Sequence, residues 1–485
     1  MRKVSEVGEG ICIMKRTLNR IAALFLALLV TTGLQAQALT PSITQLFAFA
    51  CDSTGTVCPN GAYPNSLLQS ADLNFYGTTP SGGTGNQAKG TVFKITPGGQ
   101  LNVLYNFVAD QNGNYPNGTL PSSLVEGNDG YLYGATLQGG PHNTGLVFKL
   151  SKTGNFQILN SAVAYKGLGP TTLVLGADGN LYGGTFGSGS GAGSLFRVTR
   201  KGVYTLLHAF NLNVEGPMTQ GMTLASDGNL YGTTLGGKDL KTTLFRLTPA
   251  GKFTVLQTLV YGLFPVSPPV QASDGRLYGG LSRYEGQAEA ALFASNLTGR
   301  NFQDVLEPQL PFGVYTQYMT PASDSNLWSI ADNFNSETVD VISLALDGTL
   351  LQTVAFDGAN GQYPDAPLVQ GSDGGLYGVT ELGGTVPPGS VANGVVFNLN
   401  AGLAPPPPTV TILKPMRAKV GKSVLIHGTH FVATTAVTFN GVSAAFTVLN
   451  TGTITATVPK GASTGPISVT NPGGTAASTT DFTVE

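Results

Sequence analysis

One six-residue phrase recurs along this chain and constrains its fold more than any other feature: Asp-Gly, a variable residue, then Leu-Tyr-Gly. It is complete at 129–134, 178–183, 227–232, 274–279 and 373–378, and degenerate at 72–77 and 324–329. Its aromatic residues are Tyr76, Tyr133, Tyr182, Tyr231, Tyr278, Trp328 and Tyr377, spaced by 57, 49, 49, 47, 50 and 49 residues. Such a period marks an array in which each unit buries a face on the next. Each unit holds four short strand-like runs. In the second unit they are 122–126, 131–137, 145–150 and 156–159, joined by Asp-Gly and Thr-Gly turns and a Gly-rich loop. Four antiparallel strands per unit make a propeller blade, whereas a linear β-helix stacks shorter repeats. The expected fold is all-β: a seven-bladed β-propeller over residues 39–403.

The seventh unit lacks its fourth run, because 395–399 is followed by Ala401-Gly402-Leu403-Ala404 and then prolines. An orphan run at 43–49 aligns with the fourth runs at 101–107 and 204–210. An open array would expose strand edges and the faces of both end blades. Residues 43–49 are therefore expected to pair antiparallel with 393–399 as the outermost strand of the last blade.

Charged residues make up 11% of the chain and the formal net charge is −2. A nucleic-acid binder held by phosphate contacts needs a basic excess, which is absent. The 41% apolar content argues against disorder. Lys15, Arg16 and Arg20 precede an apolar run at 21–30, and Ala36-Gln37-Ala38 supplies a small-x-small site. Residues 1–38 thus read as a secretory signal peptide cut after Ala38, with Met14 a more natural start. No later stretch is apolar and long enough to cross a membrane as a helix. Cys51 and Cys58 remain after cleavage, and in an oxidising compartment they are expected to form a disulfide.

Pro405 to Pro408 reads as a semi-rigid spacer, a linker at 404–408 that leaves the remainder separable. Residues 409–485 contain seven short alternating runs with turns between them, the pattern of an Ig-like sandwich.

The repeat resembles the GloVer tandem repeat of bacterial choice-of-anchor proteins over roughly residues 43–400. Gly-Thr-Val-Phe-Lys at 90–94 and Ser-Asp-Gly-Asn-Leu-Tyr-Gly-Thr-Thr at 226–234 carry the likeness. The fifth and sixth units depart from it, with Leu292-Phe293-Ala294 and Val341-Ile342-Ser343 in their third runs. The C-terminal part resembles the IPT/TIG family through Gly421, Val424-x-Ile426-x-Gly428-x-x-Phe431, Val437-x-Phe439-Asn440-Gly441-Val442, Val458-Pro459-x-Gly461 and Asn471-Pro472-Gly473-Gly474. The first resemblance implies secretion or surface display and no reaction; the second implies an accessory spacer, adhesion or sugar-contact module.

Chemistry is sparse. There are four His, and no HExxH, GxSxG or Walker motif. His427 and His430 lie within the IPT/TIG motif and make a poor zinc site alone. Asp110-Gln111-Asn112-Gly113-Asn114 opens like a calcium loop but lacks the closing acid, so it reads as an Asx turn. Asp110, Asp357 and Asp365 lie in inter-blade loops, and no spacing rule selects a catalytic pair among them. The same loops hold Tyr63, Tyr115, Tyr165, Tyr315 and Tyr363, aromatics suited to sugar stacking or a protein partner. The expectation is a secreted or surface protein that binds a glycan or protein without catalysis, as a monomer, with no cofactor and no metal. The alternative is an extracellular carbohydrate-active hydrolase or lyase with its site at the channel mouth.

Overall fold

The computed structural model describes residues 40–485, apart from 162–166, 188–191, 215, 236–241, 260–262, 284–289, 307–313 and 334–337. The expected signal peptide lies outside the described residues. Among these residues no helix is long and apolar enough to cross a membrane.

Among the described residues of 42–400 there are seven antiparallel sheets, six with their strands in chain order and the last completed by the N-terminal strand Ser42–Cys51. Blade 1 comprises Ser66–Gln69, Phe75–Thr79, Thr91–Ile95 and Leu101–Asn106, running from inner to outer strand. The inner strands of blades 2, 3, 4 and 6 are Thr119–Glu126, Gly167–Leu175, Met218–Leu224 and Val314–Pro321. In blades 5 and 7 prolines split the inner strand, leaving Leu263–Pro265 with Val270–Gln271, and Gln362–Pro364 with Val369–Gln370. Proline donates no ladder hydrogen bond, so only such an edge position tolerates it.

The recurring phrase is explained residue by residue. In blade 3, Asp178 Oδ1 accepts the Asn180 N–H at 3.1 Å while Oδ2 accepts the Tyr182 hydroxyl at 2.8 Å. The same hydroxyl bond joins Tyr76 to Asp72, Tyr133 to Asp129, Tyr231 to Asp227, Tyr278 to Asp274 and Tyr377 to Asp373; Trp328 Nε1 replaces it on Asp324. The first Gly sits at positive φ, +77° for Gly179. The degenerate copies place Leu73 and Ser325 there, at +69° and +65°. That conformation costs an L-residue roughly 1–2 kcal/mol, and Leu73 is exposed. Leu73→Gly is therefore expected to stabilise by about 0.5–1 kcal/mol after the greater unfolded-state freedom of Gly is counted, readable by denaturant unfolding. The second Gly is dictated by packing. A Cβ at Gly134, Gly183 or Gly232 would overlap the ring of Phe148, Phe196 or Phe245 on the next strand. Blade 6 has Ser329 at this position, and the paired residue is Ile342, with no ring to collide.

Adjacent blades share cores. The aromatic of one blade packs with the third strand of the next: Tyr76 with Phe148, Tyr133 with Phe196, Tyr182 with Phe245, Tyr278 with Ile342 and Trp328 with Phe397. Tyr231 packs on Leu277 of blade 5. Tyr377 packs with Phe75 and Phe93 of blade 1, which closes the ring. Closure follows the sequence expectation: Ser42–Cys51 pairs antiparallel with Val391–Asn400, with Ile43 opposite Leu399 and Ala48 opposite Val395, as the outermost strand.

The C-terminal module is a sandwich. One sheet orders Thr409–Lys414, Ser423–Thr429, Thr453–Thr457 and Phe446–Asn450; the other orders Val442–Ser443, Ala436–Phe439, Ile467–Asn471 and Gly474–Ala477. Val424, Ile426, Phe439, Ile454, Val469 and Phe482 fill the space between them.

Candidate functional site

A four-stranded meander places its first and third turns at one end and its remaining loops at the other. The propeller thus has a turn face, bearing the Asp-Gly turns, and a loop face, bearing the second-to-third-strand and inter-blade loops.

The module sits on the turn face. Asn450 Nδ2 donates to the Glu126 carbonyl and to Asn128 Oδ1, at 3.2 and 2.7 Å, in blade 2. Lys414 Nζ donates to the Ala177 carbonyl of blade 3 at 3.2 Å. Ile412 lies over Gly228 of blade 4. The Ala404 carbonyl accepts from Ser323 Oγ of blade 6 at 2.7 Å and from Gln370 of blade 7. The linker thus holds the turns of blades 6 and 7, and the module those of blades 2 and 3. Beneath it lies a cavity of about 330 Å³, bounded by Leu67, Pro321 and Leu368 of the propeller and His430, Val432 and Asn471 of the module.

This differs from a module held off by a spacer. The proline run is strapped down instead: the Pro406 carbonyl accepts from Asn471 Nδ2 at 3.0 Å, and the Pro407 carbonyl lies 3.1 Å from His430 Nδ1. Polyproline leaves every carbonyl free of internal hydrogen bonds, which suits it to being gripped from the side.

On the loop face, Cys51 and Cys58 form the expected disulfide. It closes a short loop immediately after the closing strand and is buried, with Asn393 Nδ2 2.8 Å from the Cys51 sulfur. On the chain-entropy account it contributes about 2 kcal/mol. Thiol titration of denatured, unreduced protein lacking residues 1–38 should find no free cysteine; two titratable thiols would contradict the bond.

Three of the candidate tyrosines have their side chains among the described residues, Tyr63 and Tyr115 in the loops that lead into blades 1 and 2 and Tyr363 in the first short strand of blade 7. Tyr63 is half-buried and packs on the disulfide, at φ +61°. Tyr115 donates its hydroxyl to the Gln87 carbonyl at 2.9 Å, with Lys89 Nζ 5.0 Å from its ring centroid. Tyr363, also half-buried, packs against the core shared by blades 6 and 7. Tyr165 and the side chain of Tyr315 lie outside the described residues.

Among the loop aspartates, the Asp110 carboxylate accepts the N–H groups of Asn112 and Asn114, as an Asx turn does. Asp365 has a different setting. Tyr318 of blade 6 donates its hydroxyl to Asp365 Oδ1 at 3.1 Å. Desolvation raises the Asp365 pKa despite that bond. Glu381, on the second strand of blade 7, is likewise raised by desolvation and then by the charge of Asp365. Glu381 escapes sequence reasoning because it lies within a strand. The only signal is its position, where blades 2, 3 and 4 carry Leu137, Phe186 and Leu235.

Two of the histidines serve packing. His208 stacks on Phe253 at 3.8 Å between ring centroids. His427 is 5% exposed, with Nδ1 3.3 Å from Thr453 Oγ1. Burial, then the charge of Lys414, hold its pKa down at about 4, against the opposing pull of Asp178. A folded-state value below the ordinary 6.5 leaves stability unchanged above about pH 6.5. Stability then falls by roughly 3 kcal/mol towards pH 4 and levels off. Denaturant unfolding across this range checks the slope, which His427→Leu should flatten. Among the described residues no group of three or more His, Cys, Asp or Glu could hold a metal ion.

Comparison with known proteins agrees with both halves of the chain. The family described as Gloeobacter/Verrucomicrobia repeat matches residues 38–161 and 117–262, and the IPT/TIG domain matches 408–484. No curated protein matches. Among solved structures, the chain is similar to an ulvan lyase at 9% identity, over 73% of this chain and 95% of that one, with a TM-score of 0.44. It is similar to prolyl oligopeptidase B of Galerina marginata at 11% identity, over 78% and 57%, with a TM-score of 0.44. A protein of unknown function from Dyadobacter fermentans shows 11% identity over 75% and 99%, with a TM-score of 0.40. The chain carries Gloeobacter/Verrucomicrobia repeats over residues 38–262, in a propeller that continues to residue 400, and an IPT/TIG domain at its C-terminus.

Proposed function

We propose that this is a secreted or cell-surface protein that binds a glycan, without catalysis, on the loop face of its propeller. Residues 1–38 would be removed as a signal peptide. The observation that carries the reading is the module seated on the turn face, with no contact from the module to the loop face among the described residues. That face carries half-buried tyrosines beside Asn- and Thr-rich loops, a combination suited to sugar rings and their hydroxyls. The disulfide and the repeat family fit an extracellular protein. A glycan array run beside a polysaccharide-degradation screen tests it. Binding without turnover, weakened at least tenfold by Tyr115→Ala, supports the reading; turnover ends it.

One observation favours a second reading, a carbohydrate-active hydrolase or lyase. Asp365 and Glu381 flank the Pro364–Thr380 pair of blade 7, and burial raises the pKa of each, the direction of shift that a general acid requires. Turnover abolished by Asp365→Asn would support it.

A further inference from the structure

The residue three before each turn Asp decides how neighbouring blades are joined on the turn face. In four blades it is an amide or acid that reaches back to the turn of the preceding blade. Gln69 Oε1 accepts the Ser372 N–H at 2.9 Å, linking blade 1 to blade 7. Glu126 accepts the Ala71 N–H at 3.0 Å and the Ser70 hydroxyl at 2.8 Å, linking blade 2 to blade 1. Gln271 Oε1 accepts the Ser226 N–H at 2.8 Å and its Nε2 donates to Ser226 Oγ at 3.0 Å, linking blade 5 to blade 4. Gln370 makes the same pair of bonds to Ser323, at 2.9 and 2.8 Å, linking blade 7 to blade 6.

The corresponding residues of blades 3, 4 and 6 are Leu175, Leu224 and Pro321, whose side chains cannot make this bond. Two of the turns they leave unlatched, at Asn128 and Ala177, are those gripped by the module. Asn450 holds the blade 2 turn through Asn128 and the Glu126 carbonyl, and Lys414 holds the blade 3 turn through Ala177. Around Glu126 the latch is strongest, because Lys152 Nζ lies 2.6 Å from its carboxylate. The seam next to it has none.

We propose that the IPT/TIG module is an intramolecular clamp, standing in for the missing latches at the seams between blades 2 and 3 and between blades 3 and 4. These seams are where the ring opens when the clamp lets go. The module is thereby part of the ring's closure, in addition to whatever it contacts outside the chain.

Hydrogen exchange on the full chain, read by mass spectrometry, tests this with single substitutions on the module. Asn450→Ala should speed exchange at least fivefold in the inner strands of blades 2 and 3 (119–126 and 167–175) and leave 218–224 unchanged. Lys414→Met should do the same in 167–175 and 218–224 and leave 119–126 unchanged. In both, 66–69 and 369–370, next to intact latches, should exchange at the wild-type rate. As a check on the latch itself, Gln271→Leu should speed exchange in 218–224. No change in the module variants, or an equal rise in every blade, overturns the clamp; an unaltered 218–224 in Gln271→Leu overturns the latch on which it depends.

Discussion

Raising the pH above about 10 is expected to unfold the propeller in one steep transition. Tyr76, Tyr133, Tyr182, Tyr231, Tyr278 and Tyr377 are all buried between blades, each donating its hydroxyl to a turn aspartate. Burial is the largest cause that raises their pKa values, followed by the hydrogen bond to Asp and its negative charge. Tyr278 is pushed up to about 12 and the others stand higher. The folded state therefore keeps protons that the unfolded state releases, and stability falls as pH rises past the unfolded value of about 10. Each group contributes about 1.4 kcal/mol per pH unit, so six together contribute about 8. Domains are stable by only about 5–15 kcal/mol, so one or two pH units suffice. Circular dichroism followed beside tyrosinate absorbance should show exposed tyrosines titrating first, then a cooperative loss of structure with the buried set. Gradual titration of all tyrosines with the fold intact would contradict this.

Deleting residues 39–50 should cost the whole ring its cooperative unfolding. The closing strand carries Phe49, fully buried among Phe75, Phe93 and Val396, and Leu46 and Phe47 pack at the same core. Burial of these side chains contributes about 5 kcal/mol or more, and its loss bares the edge of Val391–Asn400 as well. The damage is not confined to one end, because this strand joins the last blade to the face it shares with the first. A cooperative thermal melt within a few degrees of the intact chain would show that the ring does not depend on this strand.

The propeller was legible from sequence because its constraints are local and repeated. Asp178 and Tyr182 lie four residues apart, and Gly183 faces Phe196 on the next strand, so each blade restates its own geometry. Closure was legible because a strand was missing at one end and spare at the other. The seating of the module was not, since it rests on Asn450 and Lys414 meeting turns more than two hundred residues away, with no period to betray them. The latch position could have been read, as Gln69, Glu126, Gln271 and Gln370 recur in register, but a polar residue before a turn also reads as ordinary solvent exposure. The loop aspartate is the least legible part: Asp365 meets Glu381 through the Pro364–Thr380 pairing inside blade 7 and Tyr318 from blade 6, and none of the three carries a recurring motif.

The register of the closing strand also determines how the protein would bear a mechanical load. Ser42 and Asn400 lie opposite each other at the same end of the last blade, where the chain enters and leaves the ring. Tension applied between these points would pull two antiparallel partners apart from their shared end. Hydrogen bonds in that geometry break one pair at a time, as a zipper does, instead of resisting together as they do in shear. The weakest line under force would therefore run from Ser42 to Cys51, and the other blades would feel no pull until it had parted.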